Sequence, residues 1–299
     1  RPSLDEVMEY RQHVDRHMLD LLTDNGHRQA NEIVRRCVLG LQHEKQHQEL
    51  FFTDIKYSLF HNPLYPALVE SEFAQSESID FQWCAFEGGI VDIGASSKDG
   101  FHFDNELPKH QVLLSPYFLS NRLVTNQEYQ AFIDDGGYQR PELWLADGWT
   151  TVQQCKWQQP LYWVEKHDQP MEYTLAGLLP RQPDNPVSHI SGYEADAYAR
   201  WADARLPSEF EWESAVKTPS NSSGKLFQVF DTCWQWTGSA YRPYPGFKIE
   251  AGAIGEYNGK FMCNQWVLKG GSCISPDNHT RPSYRNFFYP HERWQFSGI

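Results

Sequence analysis

The sequence predicts an α+β protein in which two long helices precede a loop-rich domain of short strands and short helices. Two observations carry this prediction. Apolar residues recur at helical spacing from about residue 3 to residue 60. After a polar stretch at residues 70–78, short apolar runs alternate with glycine and proline. We therefore expect a helical domain at residues 1–75 and a mixed domain at residues 76–299.

The first helix is expected from Leu4 to Leu22. Ser3 and Glu6 stand three residues apart at its start, which is the spacing of a capping box, where each side chain accepts a hydrogen bond from the other residue's backbone amide. The segment Asp24-Asn25-Gly26 indicates its end.

The second helix is expected to end before Asn62-Pro63, because proline disfavours helical backbone in the residue that precedes it. Its apolar residues form a broad stripe, which we expect to face a core. Two helices of this length are marginal alone, so a packing partner is implied. The stripe consists of Val34, Val38, Leu39, Leu41, Leu50, Phe51 and Ile55.

The rest of the chain has the pattern of a mixed domain. Gly88–Gly94 and Gln111–Leu114 are predicted strands, and Asn126–Asp134 and Gly192–Arg205 are predicted short helices. Most of the 11 Trp, 15 Tyr and 18 Phe residues lie here. Such a composition fits a fold whose long loops are held in place by large rings.

The composition limits the class of protein. A formal net charge of -13 argues against nucleic-acid and anionic-membrane partners, which favour basic surfaces, so a small-molecule substrate fits better. No apolar run has the length of a membrane span, and the first residues lack the organisation of a secretion signal. The six cysteines are scattered, which indicates neither a disulfide framework nor a zinc ribbon. We expect a cytoplasmic enzyme.

The most informative segment is His43-Glu44-Lys45-Gln46-His47 in the second helix. One helical turn brings both imidazoles to the same face. Imidazole is a common ligand of transition metals, and helical bundles build metal sites on inward faces. The pair therefore predicts a metal site. Surface helices also carry histidines by chance, and this alternative stays open from the spacing alone.

Segments along nearly the whole chain resemble the iron-dependent sulfoxide synthases of ergothioneine biosynthesis. The motif at residues 43–49 is similar to the metal motif of a DinB-like helical bundle, here only partial. The remainder resembles the formylglycine-generating-enzyme fold, a variant of the C-type lectin fold. The segments that carry this resemblance are 103–106, 124–126, 136–138, 205–213, 234–237, 244–247, 270–272 and 281–286.

The resemblance implies a metal site of three histidines, of which His43 and His47 are two. We expect the third on an earlier helix that is absent from these 299 residues. His13 and His17 are also four apart and are the alternative, although the match places their helix after the missing ligand. The implied cofactor is Fe(2+), which activates O2. The implied reaction oxidises a cysteine thiolate to a sulfoxide and bonds its sulfur to C2 of the imidazole of hercynine, which is trimethylhistidine.

The resemblance also implies substrate-binding residues. Gln46 and Asn286 match positions that contact hercynine, and an amide offers it both a donor and an acceptor. Phe287 matches an aromatic residue near the trimethylammonium group, which a ring face attracts. Phe288 stands where members that use gamma-glutamylcysteine carry an acidic residue, so cysteine is the expected donor. The alternatives are a solvated Gln46 and two phenylalanines that only anchor a loop.

A tyrosine is thought to deliver a proton in this family, and Tyr241 and Tyr244 are the candidates here. The alternative is that both tyrosines are structural. Formylglycine generators bind copper with a cysteine pair after the Gly-Gly-Ser turn, where this chain has only Cys273, so that activity is not expected.

Two other functions remain open from the sequence. The segment that begins at His43 also fits the H-E-x-x-H motif of zinc hydrolases, in which Glu44 would activate water and Glu70 or Glu72 would be the third ligand. Alternatively, the lectin-like domain is a non-catalytic binding module and the helices support it.

Overall fold

The computed structural model describes residues 1–24, 26–70, 78–96, 98–219, 225–249 and 257–299. It divides into two compact units, Arg1–His47 and Gln48–Ile299. The predicted domain boundary between residues 75 and 76 lies outside the described residues and stays a prediction.

The first unit contains helix α1 (Leu4–Thr23) and the beginning of helix α2 (Ala30–Phe60). Helix α1 begins at the expected residue and ends one residue later than expected, and α2 ends before Asn62-Pro63 as expected. The Ser3 hydroxyl accepts a hydrogen bond from the Glu6 amide, and the Glu6 carboxylate accepts one from the Ser3 amide, which confirms the capping box. No side chain of α1 is buried.

The expected apolar core stripe of α2 is wrong. Val34, Leu41 and Phe51 are more than half exposed. In the second unit, the buried residues of this helix are Glu49, Thr53 and Lys56. The reason is that this helix face meets polar groups of the mixed domain, so hydrogen bonds take the place of apolar contact.

A long two-stranded ribbon opens the mixed domain. Strand β1 (Trp83–Phe86) pairs with β4 (Tyr117–Ser120), and β2 (Gly89–Ile93) pairs with β3 (His110–Leu114), both antiparallel and in one continuous register. The kink between the two halves requires Gly88, which has φ +71°, because a Cβ there would lie 2.4 Å from the carbonyl oxygen of Leu114. The two strands predicted in this region are confirmed.

Short helices and a three-stranded sheet follow. Helix α3 (Asn126–Asp134) has the predicted bounds, whereas α5 (Gly192–Trp201) ends earlier than predicted, and Asp203 takes a left-handed conformation with φ +54°. The other elements are α4 (Ala146–Cys155), β5 (Trp163–Lys166), β6 (Gln169–Thr174), β7 (Gly177–Pro180) and α6 (Glu209–Lys217), with β5, β6 and β7 forming the sheet.

A four-stranded sheet lies at the centre of the mixed domain. Its strands are β8 (Trp234–Ala240), β9 (Trp266–Lys269), β10 (Asn286–Phe288) and β11 (Ser297–Gly298), in the order β10-β9-β8-β11. Within the described part of the chain, the strand β10 therefore lies at an edge and pairs only with β9, in an antiparallel register. The indoles of Trp234 and Trp236 are 1% exposed and fill the core beside this sheet.

Candidate functional site

The paired histidines lie in the first unit, and the structure brings their rings together. His43 is half-buried and His47 is exposed on the same face of α2. Their Nε2 atoms are 3.1 Å apart. Two nitrogens bound to one metal ion at about 2.1 Å and at a right angle would be about 3.0 Å apart. The pair thus has the separation that one ion requires, although a single N–H···N hydrogen bond has a similar length.

The surroundings of His43 also suit a metal site. Burial lowers the pKa of His43, and the neighbouring His47 lowers that pKa further. A neutral imidazole is the form that binds a metal ion. Imidazole suits several divalent first-row ions, so the two nitrogens fit iron without selecting it. Within the described ranges, no group of three or more His, Cys, Asp and Glu side chains has the arrangement of a metal site.

Gln46 is half-buried on α2, one residue before His47. Asn286, Phe287 and Phe288 lie in the second unit, where they form the edge strand β10. The Asn286 carboxamide oxygen accepts a hydrogen bond from the Phe287 amide, 2.9 Å away.

The ring of Phe287 is part of an aromatic stack. It lies parallel to the Tyr241 ring, with a centroid distance of 4.2 Å and an interplanar angle of 10°. The ring of Phe261 stacks with it at 5.7 Å. Phe288 instead contacts Trp294 edge to face, at 5.2 Å. Both phenylalanines are half-buried, so each keeps part of its ring accessible.

The two candidate catalytic tyrosines are buried. The Tyr241 hydroxyl accepts a hydrogen bond from the Asn105 amide nitrogen at 2.9 Å, and the Tyr244 hydroxyl donates one to Glu209 at 3.1 Å. Burial raises the pKa of both phenols. These partners favour a structural role, and proton delivery stays a prediction.

Sequence reasoning missed the buried ion pair next to this strand. Arg285 directly precedes Asn286, and its guanidinium binds the Glu209 carboxylate through two hydrogen bonds of 2.7 and 3.0 Å. Both side chains are 3% exposed or less. The signal was present, because both residues belong to segments that carry the family resemblance, but no spacing rule pairs residues 76 positions apart.

A second polar cluster, also missed, holds α2 in the second unit. Glu49 accepts hydrogen bonds from the Trp234 indole and from the Ser272 and Ser275 hydroxyls, at 2.5, 2.8 and 3.0 Å. Burial raises the pKa of its carboxyl group.

About two turns after Glu49 on α2, the Lys56 amine lies 2.7 Å from the Nε2 atom of His189. The Tyr162 and Phe296 rings face the same amine at 4.4 and 4.6 Å. Burial lowers the pKa of Lys56 to about 8.

A cleft lies elsewhere in the second unit. It has a volume of about 750 Å³ and is lined by groups that include Trp83, Phe118, Arg122 and Arg205. None of the predicted site residues, all of which the structure describes, lines it. Glu70 is exposed, and Glu72 lies outside the described residues. In the described parts of the chain, no helix combines the length and the apolar character that a bilayer span needs.

Comparisons with known proteins add to this geometry. Residues 74–229, just over half of the chain, match the sulfatase-modifying factor enzyme 1-like domain. Hercynine oxygenase from Mycolicibacterium smegmatis is 32% identical over 255 residues, which cover 71% of this chain and 59% of that protein. Hercynine oxygenase from Mycobacterium tuberculosis is 32% identical over 235 residues, which cover 66% of this chain and 54% of that protein.

A formylglycine-generating enzyme from Thermomonospora curvata is 32% identical over 153 residues, which cover 44% of this chain and 48% of that enzyme. The chain therefore spans little more than half the length of the hercynine oxygenases it matches. These matches confirm the family resemblance and the fold class expected from the motifs.

Proposed function

Because the chain belongs to the sulfatase-modifying factor enzyme 1-like family, we propose that it acts in an iron(II)- and O2-dependent sulfoxide synthase, which joins the sulfur of cysteine to the imidazole C2 of hercynine. The observation that carries the proposal is the 3.1 Å separation of two imidazole nitrogens in a chain that is 32% identical to hercynine oxygenases.

His43 and His47 would hold the iron. Both present ring nitrogens on one face of a helix, which keeps their separation fixed. When bound, Fe(2+) would supply the oxygen activation and the electron transfer that no amino-acid side chain provides. A third ligand is required for the expected three-histidine set, and its identity stays a prediction.

The binding of hercynine is assigned to side chains that suit its groups. Gln46 and Asn286 carry amides, which can donate to a carboxylate and accept from an imidazole N–H. The accessible part of the Phe287 ring suits the trimethylammonium cation, because a ring face carries negative charge. Tyr241 stacks parallel to that ring, and this fixes its plane.

The thiol donor is proposed to be cysteine rather than gamma-glutamylcysteine. Phe288 and its partner Trp294 form an apolar pair. Such a pair offers no counter-charge to the additional ammonium and carboxylate of the dipeptide, and burying an unpaired charge is unfavourable.

The test is anaerobic reconstitution of the full chain with Fe(II), hercynine and cysteine, followed by exposure to air and mass analysis of the product. We expect O2 consumption and a mass that corresponds to the cysteine–hercynine sulfoxide. His43→Ala and His47→Ala should each weaken Fe(II) binding at least 100-fold, because each removes a direct ligand. His61→Ala, which changes an exposed histidine outside both pairs, is the matched control.

The same experiment separates the alternatives. Zinc-dependent peptide cleavage without O2 consumption would support the hypothesis that the H-E-x-x-H segment belongs to a zinc hydrolase. Absence of Fe(II) binding by a full-length form that includes the expected third histidine would support a binding module. Either result would contradict the proposed function.

A further inference from the structure

The edge strand β10 depends on contacts from outside its sheet. Among the described residues, only β9 pairs with it, so no ladder is seen there at its second edge. A central strand forms backbone hydrogen bonds on both edges, whereas an edge strand leaves one edge unpaired. Side-chain contacts can then help to fix its position. Arg285, immediately before the strand, supplies contacts of this kind.

Arg285 is 2% exposed, and each of its three guanidinium nitrogens donates a hydrogen bond. Two of its nitrogens bind Glu209. Nη1 donates to the Asn105 carbonyl and Nη2 to the Arg242 carbonyl, each at 2.9 Å. The Tyr244 ring lies 4.0 Å from the guanidinium carbon. These contacts come from separate parts of the second unit and meet at one side chain.

The backbone of residue 285 is fixed as well. The side-chain nitrogen Nδ2 of Asn105 donates to the Arg285 carbonyl oxygen at 3.2 Å and to the Tyr241 hydroxyl at 2.9 Å. That carbonyl belongs to the peptide group that leads into Asn286. Tyr241 in turn stacks on Phe287. One network therefore holds the peptide before Asn286 and the plane of the ring after it.

We propose that Arg285 is a positioning residue for substrate binding, which acts with Glu209 and Asn105 to hold Asn286 and Phe287 in the geometry that binds hercynine. The inference rests on the proposed function, which assigns these two residues to hercynine. A planar guanidinium with two parallel bonds to a carboxylate fixes both distance and direction, and a lysine amine cannot reproduce this. Small misplacements of binding groups have large effects on substrate positioning.

The central experiment compares Arg285→Lys with wild type in the iron-loaded full chain. We expect the Kd of hercynine, measured anaerobically by calorimetry, to rise about tenfold or more. The KM for hercynine should rise likewise, while the Kd of Fe(II) and the KM for cysteine stay within twofold. A general loss of folding would move all four quantities, so this split identifies positioning.

Arg122→Lys is the matched control. Arg122 is another largely buried arginine with two hydrogen bonds to a glutamate, Glu128, at 2.8 and 2.9 Å. We expect this variant to lower the melting temperature without changing the Kd of hercynine. Asn105→Ala keeps the Arg285–Glu209 pair and removes the bond to the peptide before Asn286. We expect it to weaken hercynine binding about threefold, and it serves if Arg285→Lys fails to fold.

The outcomes are distinct. If the wild type binds no hercynine, the proposed function is wrong. If the wild type binds hercynine, but Arg285→Lys and Asn105→Ala bind it within twofold of wild type, only the positioning role is overturned. Equal losses in Arg285→Lys and Arg122→Lys would also overturn it, because they would reflect stability alone.

Discussion

Phe288 provides the sharpest test of specificity at a single residue. We expect Phe288→Asp to raise kcat/KM for gamma-glutamylcysteine relative to cysteine about tenfold, because an aspartate offers the dipeptide's ammonium group a counter-charge that a phenyl ring lacks. Initial rates with both donors measure this ratio. Phe288→Ala, which removes the ring without adding charge, is the control. An Asp variant with an unchanged donor preference would contradict the role given to Phe288.

Single residues differ in how far the sequence predicts them. The convergence of His43 and His47 was predictable, because a four-residue spacing on a helix always places two side chains on one face. The partners of Arg285 were not. They come from positions 76 and 180 residues away, and only the folded chain brings them to the strand.

At the scale of elements, Lys56 makes the attachment of α2 dependent on pH. Its pKa is about 8 in the folded protein and 10.5 ordinarily. Below pH 8 the folded state carries the buried charge and its full cost. Between pH 8 and pH 10.5 the folded state loses the proton while the unfolded state keeps it, so stability rises with pH in this window. Glu172 and Cys273 act on the same amine and favour its charged form.

We therefore expect the free energy of unfolding to gain roughly 2 kcal/mol from Lys56 between pH 7.5 and 9.5. Denaturant titrations of wild type and Lys56→Met at both pH values measure this contribution as the difference between their slopes. The exposed residue Lys98, replaced by Met, is the control and should leave the wild-type slope unchanged. Parallel slopes for wild type and Lys56→Met would refute the prediction.

Glu49 contributes to the same helix in a different way. We expect Glu49→Ala to lower the free energy of unfolding by about 3 kcal/mol, because it leaves the Trp234 indole and two serine hydroxyls without their acceptor in a buried place. Asp54→Ala, an exposed acid on the same helix, should change it by less than about 0.5 kcal/mol. Chemical denaturation of the two variants measures this difference. Equal free energies of unfolding for the two variants would contradict the role given to Glu49.

Helix positions followed from the sequence better than helix environments did. The capping box correctly predicted where α1 begins, and Asn62-Pro63 correctly predicted where α2 ends. The buried face of α2 was not predictable by the same rule, because that rule assumes an apolar interface. Here the partners are an indole, two hydroxyls and an imidazole, and a polar helix face is what complements them.

At the scale of the whole molecule, local stability should differ strongly between the helices and the core. No side chain of α1 is buried, whereas α5 has seven buried residues in half the length. We expect the amides of α1 to exchange with deuterium at least 100-fold faster than those of α5, since exposed helices open locally at little cost. Hydrogen exchange with mass spectrometry measures both helices in one sample. Equally slow exchange in α1 would contradict the expectation.

The α+β class and the order of the elements were predictable because glycine, proline and aromatic patterns mark short strands and loops. The continuous ribbon and the four-stranded sheet were not. Their pairings join distant segments, such as Ser297 with Trp234, and pairing partners leave no local pattern in the sequence. The family motifs supplied what local patterns could not.

The bonds that hold α2 in the second unit have a consequence for synthesis. Glu49 and Ser275 are 226 residues apart, and Lys56 and His189 are 133 apart. A ribosome makes the helix before its partners, so the helix cannot dock fully until Ser275 has been synthesised. Until then this face of the helix exposes a carboxylate, a hydroxyl and an amine, which water can solvate. The nascent chain therefore presents no apolar surface there to which other proteins could bind.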